Sequence, residues 1–455
     1  MNENESDPLG FNRRDFLRGG SFATLMTMLG GVPLLAPAEE PAPAQTKPDQ
    51  PRVKVAVIGL GAWGREIISS LARLPIADIA AICDTYAPAL TRAAKDAPNA
   101  AQTKDYQTIL ANNDIKAVLV ATPTQLHKDI VIAALKAGKH VYCEAPLANT
   151  IEDARAIALA AKATPQVVFQ SGLQLRSDPE RLFLHPFIRS GALGRSVMAR
   201  AQWHKKDSWR AAAPNPEREK ALNWRLDKAI SLGLVGEIGI HSIDQANWFL
   251  NAHPTAITGF GSLILWNQDG REVPDTIQAV FDYPGGVRLS YDATLANSFD
   301  AAYEVLYGTD AAVMMRDNKA WLFKEADSPL LGWEVYAHKD TFYKETGIAL
   351  VAGASKLQQI PKGGEEPPSP TRATLSAALE TFLRNANDVT TTLEPAREAF
   401  KDDPSSLQDL IASVKLRPAA GALEGFQATV LAVKANEAVL GGKRIELKKE
   451  WYELS

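Results

Sequence analysis

The stretch from Val53 to Asp84 leaves this chain little freedom in how it folds. Val53-Lys-Val-Ala-Val-Ile58 is a run of β-formers with one polar residue, the pattern of a strand buried on both faces. It runs directly into Gly59-Leu-Gly-Ala-Trp-Gly64. Helical periodicity follows over 65–73, with Ile67, Ile68 and Leu71 as its apolar positions. A second strand over 78–83 ends at Asp84, 20 residues past Gly64. The glycines have separate physical roles. Gly59 permits the tight turn, Gly61 lets backbone approach a diphosphate, and Gly64 lets the helix pack close to the strand. Free N–H groups at the helix start favour an anion. A carboxylate at Asp84 accepts hydrogen bonds from an adenosine ribose diol and repels a 2′-phosphate. The unit therefore predicts NAD as cofactor, with NADP disfavoured, and places Gly59, Gly61, Ala62, Trp63, Gly64 and Asp84 around it.

The same alternation continues. A buried strand over 115–121 leads into Thr122-Pro-Thr-Gln-Leu-His127, a helix over 128–137 stops at Gly138, and a strand over 141–143 runs into Glu144-Ala-Pro146. Asn149 or Thr150 can cap a helix over 151–163, and a last strand over 167–170 closes a doubly wound parallel sheet. Such sheets bind ligands at the C-terminal ends of their strands, where Thr122, Pro123, His127 and Glu144 join the glycine turn in one cleft; Gln174 and Arg176 follow the last strand. Beyond Gly172 the texture changes to strands separated by turns, over 197–204, 255–266, 276–283, 287–294, 303–308 and 311–316. The expected fold class is α/β, a Rossmann domain over 53–172 followed over 173–455 by an α+β domain with an open, largely antiparallel sheet. Helices are expected over 374–385 and 423–440 and an exposed loop over 361–370, whereas 386–422 has no readable pattern.

The amino-terminal stretch carries a different signal. Asn12-Arg-Arg-Asp-Phe-Leu-Arg18 sets two arginines before a modestly apolar segment, and Ala36-Pro-Ala38 offers small residues for a peptidase. Residues 1–38 resemble a twin-arginine export signal, which implies a periplasmic or otherwise exported protein that folds, with its cofactor, before export. Any contact with a membrane would then be transient, or made through an uncleaved signal. Residues 39–52 read as a Pro-rich linker. A net charge of −4 excludes a basic nucleic-acid binder. The two cysteines, Cys83 and Cys143, fall in core strands and read most simply as buried thiols.

Together, Gly59 to Gly64, Ala121-Thr-Pro-Thr-Gln-Leu-His127, Gly138-Lys-His-Val-Tyr-Cys-Glu-Ala-Pro146, Gly172-Leu-Gln-Leu-Arg176 and Gly236-Glu-Ile-Gly-Ile-His-Ser-Ile-Asp244 resemble the glucose–fructose oxidoreductase/inositol dehydrogenase (Gfo/Idh/MocA) family. The resemblance implies a nicotinamide cofactor, a carbohydrate-like small-molecule substrate oxidised at a secondary hydroxyl, and a homo-oligomer built on the second sheet. It also implies a lysine after Glu144 for proton transfer, and that position here is Ala145. The family's second-domain Asp and His, four apart, become Glu237 and His241.

Oxidising an alcohol requires a proton acceptor, and histidine suits the task. Glu237, His241 and Asp244 share one helix face by spacing, so a carboxylate on one ring nitrogen would orient the other toward substrate. Gly233, Gly236 and Gly239 would let that helix start approach the cofactor. A core histidine paired with a nearby acid has the same local signature, and no further ligand cluster supports a metal. His204 and Lys205, in Trp203-His-Lys-Lys-Asp-Ser-Trp-Arg210, and Trp224 with Arg225 mix aromatics and cations as a sugar site would, or form a solvated basic loop. Three functions follow: a dehydrogenase using His241 in place of the lysine, a redox-neutral NAD-dependent glycoside hydrolase of the kind found among relatives lacking that lysine, or a non-catalytic NAD-binding protein.

Overall fold

The computed structural model describes residues 52–317, 319–329, 339–342, 345–350, 370–399 and 404–454. The export signal, nearly all of the Pro-rich linker and the loop expected over 361–369 lie outside the described residues.

The first unit alternates strand and helix: β1 Val53–Ile58, α1 Ala62–Leu71, β2 Ala77–Cys83, α2 Ala87–Ala93, β3 Ala101–Thr103, α3 Tyr106–Leu110, β4 Ala117–Val120, α4 His127–Lys136, β5 His140–Cys143, α5 Ile151–Lys162 and β6 Phe169–Ser171. The six strands are parallel in the order β3-β2-β1-β4-β5-β6. The order reverses between β1 and β4, so the loops leaving these strands diverge and open a crevice at their C-terminal ends. Strands β4 and β5 are buried at every position, as continuous apolar runs require. Strand β3 escaped the sequence reading because it is a three-residue edge with Ala101 and Gln102 exposed. Thr150 caps α5, its hydroxyl accepting the Asp153 N–H at 3.2 Å. Cys83 and Cys143 are buried free thiols.

The second unit contains α6 Pro179–Phe187, β7 Ser196–His204, α7 Pro216–Leu222, α8 Gly233–Glu237, α9 Gly239–Leu250, β8 Ala256–Ser262, β9 Thr276–Asp282, β10 Arg288–Thr294, β11 Ala302–Gly308, β12 Ala311–Arg316, β13 Lys319–Lys324, β14 Lys339–Phe342 and β15 Glu345–Leu350. After it come α10 Pro370–Ala399, α11 Pro404–Ser413, α12 Ala422–Gly441 and β16 Arg444–Glu446. Ten strands form one mixed sheet in the order β14-β15-β13-β12-β11-β7-β10-β9-β8-β16, antiparallel throughout except where β7 meets β10. One face buries Ile277, Ala279, Phe281, Leu289, Tyr291 and Ala293 in the same core as Leu234, Val235, Ile243 and Ala246 of α8 and α9. A Cβ on Gly239 would lie 2.8 Å from the Tyr291 ring, so this glycine presses the start of α9 onto the sheet.

Helix α10 is the main departure from the sequence reading. It runs through much of the stretch that carried no pattern, and it packs on the first sheet although it follows the second in the chain. Leu375, Ala378, Leu379, Phe382, Leu383, Val389 and Leu393 share a core with Val55, Val57, Ile67, Ile68 and Tyr142. The Phe382 and Tyr142 rings meet edge to face with centroids 5.8 Å apart, and both side chains are fully buried. Removing this ring leaves a cavity between sheet and helix. Phe382→Ala is therefore expected to lower unfolding stability by about 3–5 kcal/mol. Chemical denaturation checks this, and a loss under about 1 kcal/mol would mean that α10 is not integral to the first core.

Candidate active site

The crevice is built from the glycine turn upward. Gly59 has φ +95°, and a Cβ there would lie 2.6 Å from the Ala121 backbone. A Cβ on Gly64 would lie 1.9 Å from the Gly59 carbonyl oxygen, whereas one on Gly61 would meet nothing within 4 Å. The close-packed glycines fix the strand–helix turn, and Gly61 borders open space. Helix α1 begins there with no side-chain cap and no acid in its first turn, so its leading N–H groups remain available to an anion. Gly61 and Ala62 are exposed and Trp63 is half-buried. The Asp84 carboxylate accepts the N–H groups of Leu60 and Tyr86, both at 2.8 Å, and so braces the turn while keeping acceptor capacity.

At the other end of the crevice, the strand ends gather buried polar atoms that lack partners. Thr122 Oγ1 and Glu144 Oε1 have no hydrogen bond among the described residues, and the Tyr142 hydroxyl is buried beside the side chains of Glu144 and Gln174. Buried polar groups are rarely left so. Orphaned polar atoms at one end and an open, uncapped helix start at the other fit a dinucleotide. Pro123 is half-buried in the loop after β4. Glu144 is 8% exposed and lies against Gly172, where a Cβ would come within 2.5 Å of its carboxylate. Burial pushes the Glu144 carboxyl up to about 7, against the opposing pull of the Trp63 indole, the Ala145 N–H and Arg225. Gln174 is buried beside the Tyr142 hydroxyl.

His127 does not reach the cofactor space. It is 1% exposed, with Nε2 2.9 Å from the Thr122 carbonyl and Nδ1 3.1 Å from the Pro146 carbonyl. It clasps the loops after β4 and β5 from beneath, and burial lowers its pKa.

The second unit closes the chemical end. Glu237 accepts the Leu232 N–H at 3.2 Å and the Thr124 hydroxyl at 3.5 Å, and its carboxylate lies 3.8 Å from the Arg225 guanidinium. Burial raises its pKa, opposed by Arg225. The helix breaks at Ile238, between Glu237 and His241, where φ is −118° and ψ −51°. Asp244 is held by Arg176 in a bidentate pair of 2.8 and 2.9 Å. Neither acid bonds the His241 ring, so the expected carboxylate-oriented imidazole is not formed. His241 is half-buried, with no hydrogen bond to its ring among the described residues, and desolvation holds its pKa below the ordinary value, opposed by Asp244.

The residues read as substrate contacts divide. Arg225 is 45% exposed and stacks on the buried Trp224 ring at 4.4 Å; its charge acts on Glu144, Glu237 and His127, which places it over the chemical end. Arg176 instead locks Asp244 and lies 5.5 Å over Trp248. His204 is engaged by Asp292 at 2.6 Å and the Phe299 carbonyl at 3.1 Å, and Lys205 pairs with Asp207 at 3.7 Å, contacts that keep both on the second sheet and its loops. Tyr142 and Thr124 were missed by sequence reasoning. The two-residue strand period, which puts Tyr142 on the Glu144 side of β5, was the available signal. No group of three or more His, Cys, Asp or Glu among the described residues is placed to hold a metal ion.

The Glu144 carboxyl links the site to stability. A folded-state pKa of about 7 against an ordinary 4.5 favours the fold below about pH 4.5, and that contribution is lost as pH rises through 7. In the cofactor-free protein, Glu144→Gln should therefore gain stability over the parent as pH rises across this window, by up to about 3 kcal/mol at about 1.4 kcal/mol per pKa unit. Urea unfolding at about pH 4.5, 6 and 8 checks it, and a pH-independent difference is the contrary result.

The residues around the crevice match known proteins. A family model described as "Oxidoreductase family, NAD-binding Rossmann fold" matches residues 53–171, and one described as "GFO/IDH/MocA C-terminal domain" matches 183–314. Levoglucosan dehydrogenase of Pseudarthrobacter phenanthrenivorans is 36% identical over 149 residues, which span 32% of this chain and 36% of that protein. Inositol 2-dehydrogenase of Salmonella typhimurium is 28% identical over 201 residues, 44% of this chain and 55% of that one. The 1,5-anhydro-D-fructose reductase of Ensifer adhaerens is 28% identical over 213 residues, 46% of this chain and 60% of that one. The chain thus spans between about a third and three fifths of the length of these relatives. A solved levoglucosan dehydrogenase in complex with NADH shares the fold at TM-score 0.66 and 20% identity, covering 87% of this chain and 99% of that one. Fold, glycine turn and both family models agree: the chain belongs to the Gfo/Idh/MocA oxidoreductase family, with the family's NAD-binding Rossmann fold at 53–171.

Proposed function

We propose that this protein is an NAD-dependent oxidoreductase acting on a secondary hydroxyl of a sugar, polyol or related ring, with His241 as the proton acceptor. The observation that carries the reading is the state of His241. Its ring is half-buried and unbonded among the described residues, with its pKa held low, on the helix that follows Glu237 and the Arg225 pair. A neutral imidazole with a free nitrogen is a base ready to accept a hydroxyl proton.

A bound nicotinamide supplies the hydride acceptor. Gly61 and the first-turn N–H groups of α1 would hold the diphosphate, and Asp84 would take the adenosine ribose diol and disfavour a 2′-phosphate. His241 removes the hydroxyl proton as the carbon–oxygen bond gains double-bond character. Arg225 would offset negative charge growing on that oxygen, while His241 takes the proton-transfer part that the resemblance gives to a lysine at 145. A carbohydrate substrate is supported by the names of the relatives, levoglucosan and inositol dehydrogenases among them.

Ala145 favours a second reading. Its methyl packs against a cluster containing Leu173, Leu232 and Ile240, so no ammonium acts from this position. A site that oxidises a sugar carbon transiently, eliminates the aglycone with the proton next to the new carbonyl, adds water across the resulting double bond and returns the hydride would hydrolyse glycosides with no net redox change. A third reading, NAD kept only as structure, is what His241 argues against.

One panel separates these readings. The purified chain is offered free sugars, inositols and glycosides, with absorbance at the NADH band followed alongside product release. Stoichiometric NADH formation is expected. Glycoside cleavage without net reduction selects the second reading, and no turnover of any member selects the third. His241→Ala should reduce turnover by at least about a hundredfold while NAD still binds, the loss typical for a positioned base; unchanged turnover would remove His241 from the mechanism.

The Arg13-Arg14 segment supports export of the folded chain. Conversion of both arginines to lysine should leave the protein in the cytoplasmic fraction, and export of that variant at the parent's level would refute the reading.

A further inference from the structure

Between β7 and α8 the chain crosses from the second unit toward the adenosine end of the crevice. The crossing is anchored on the second unit. Arg210 pairs with Glu219 at 2.6 Å and with Asp269 at 3.4 Å. The Asn223 side chain bonds both the N–H and the carbonyl of Ala211, at 2.7 and 3.0 Å. The Glu272 N–H donates to the Leu226 carbonyl at 2.9 Å. From this base α7 reaches out, with Asn215 fixing its first turn through the Arg218 N–H at 2.8 Å.

The residue at its tip is Arg218. Its guanidinium carbon lies 4.1 Å from the centroid of the Tyr86 ring, a cation–π contact between the two units. Tyr86 is the residue whose N–H braces Asp84. Arg218 forms no ion pair among the described residues, and its Nε is buried with no hydrogen-bond partner. A guanidinium stacked on one face and partly desolvated, with no anion to offset it, is a costly arrangement for a surface residue. Arginine's planar fork is suited to phosphate and ribose oxygens and stacks equally well on a purine.

Resting on the dinucleotide reading above, we infer that Arg218 is a cofactor-binding residue delivered by the second unit, closing over the adenosine diphosphate half of NAD. The Asp84–Tyr86 loop supplies one wall of that subsite and α7 the other. The fit is to the ADP moiety and not to the nicotinamide, because Tyr86 and Asp84 stand at the end of the crevice away from Glu144 and His241. A further arginine of the crossing, Arg225, serves the chemical end, so a single segment spans the length of the cofactor.

The test uses the full chain and three ligands: NADH, ADP-ribose and nicotinamide mononucleotide, each titrated calorimetrically into the parent, Arg218→Ala and Arg218→Lys. Arg218→Ala is expected to weaken NADH and ADP-ribose by the same factor, about tenfold or more for loss of a charged, stacked contact, and to leave nicotinamide mononucleotide unaffected. Arg218→Lys, which keeps the charge without the plane, should fall between them. NADH release followed by fluorescence should speed up in the same order. Parent-level ADP-ribose affinity in Arg218→Ala, or an equal loss for nicotinamide mononucleotide, overturns the assignment. A parent that binds no NADH overturns the dinucleotide reading itself, and the inference with it.

Discussion

Everything in the crevice hangs from the contact between Gly64 and Gly59. A single added carbon at Gly64 would fall 1.9 Å from the Gly59 carbonyl oxygen, and one at Gly59 would strike the Ala121 backbone. These approaches seat α1 directly on the end of β1 and beside the end of β4. They set where the helix start points, and through Trp63 they bring its first turn to Glu144. The opposite wall depends on a similar contact, Gly239 against Tyr291, which sets the height of His241 on α9. Two backbone-to-core contacts, one in each unit, thus determine the separation across which a hydride and a proton would leave the same carbon and its oxygen.

Burial at the chemical end disfavours charge. Glu144 and Glu237 are both buried and both hold their protons more tightly than ordinary carboxyls, while His241 holds its proton less tightly. Desolvation is the first cause in all three. Arg225 acts on both acids from the cleft. A site arranged this way prefers neutral groups when empty, so a cationic nicotinamide arriving beside Glu144 would favour ionisation of that carboxyl. Binding and deprotonation are then linked.

How much of this was legible in the sequence depended on whether the determining contacts were local. Strands β1, β4 and β5 were readable because burial on both faces forces continuous apolar runs. The glycine turn and Asp84 were readable because their spacing is fixed by the unit itself. The partnering of His241 was not. Local spacing suggested Asp244, but Arg176, 68 residues away in sequence, takes both oxygens of that carboxylate. A bidentate guanidinium pair outcompetes an imidazole three residues along. The partners of His204 were hidden for the same reason, since Asp292 lies on β10 and the Phe299 carbonyl in the turn before β11. The long helix α10 was hidden by its own composition. Asn385, Asn387, Asp388, Thr390, Thr391 and Thr392 are poor helix formers, and tertiary packing of Leu383, Val389 and Leu393 on the first core overrides them.

The return of α10 to the first sheet bears on how the protein is made. A ribosome that has released residues up to Ser171 has delivered every strand of the nucleotide-binding sheet, yet one of its faces, covered in part by α1 and α2, stays incompletely covered until the chain has grown through Leu393. Until then Tyr142 lacks the Phe382 ring, and the apolar cluster around Val55 and Val57 lacks its α10 side chains. The intervening sheet must be synthesised first and held clear of that exposed surface, which is where chaperone binding and misassembly would concentrate. The nucleotide-binding half is thus the first to begin and among the last to finish, and a stable grip on NAD belongs to the nearly complete chain.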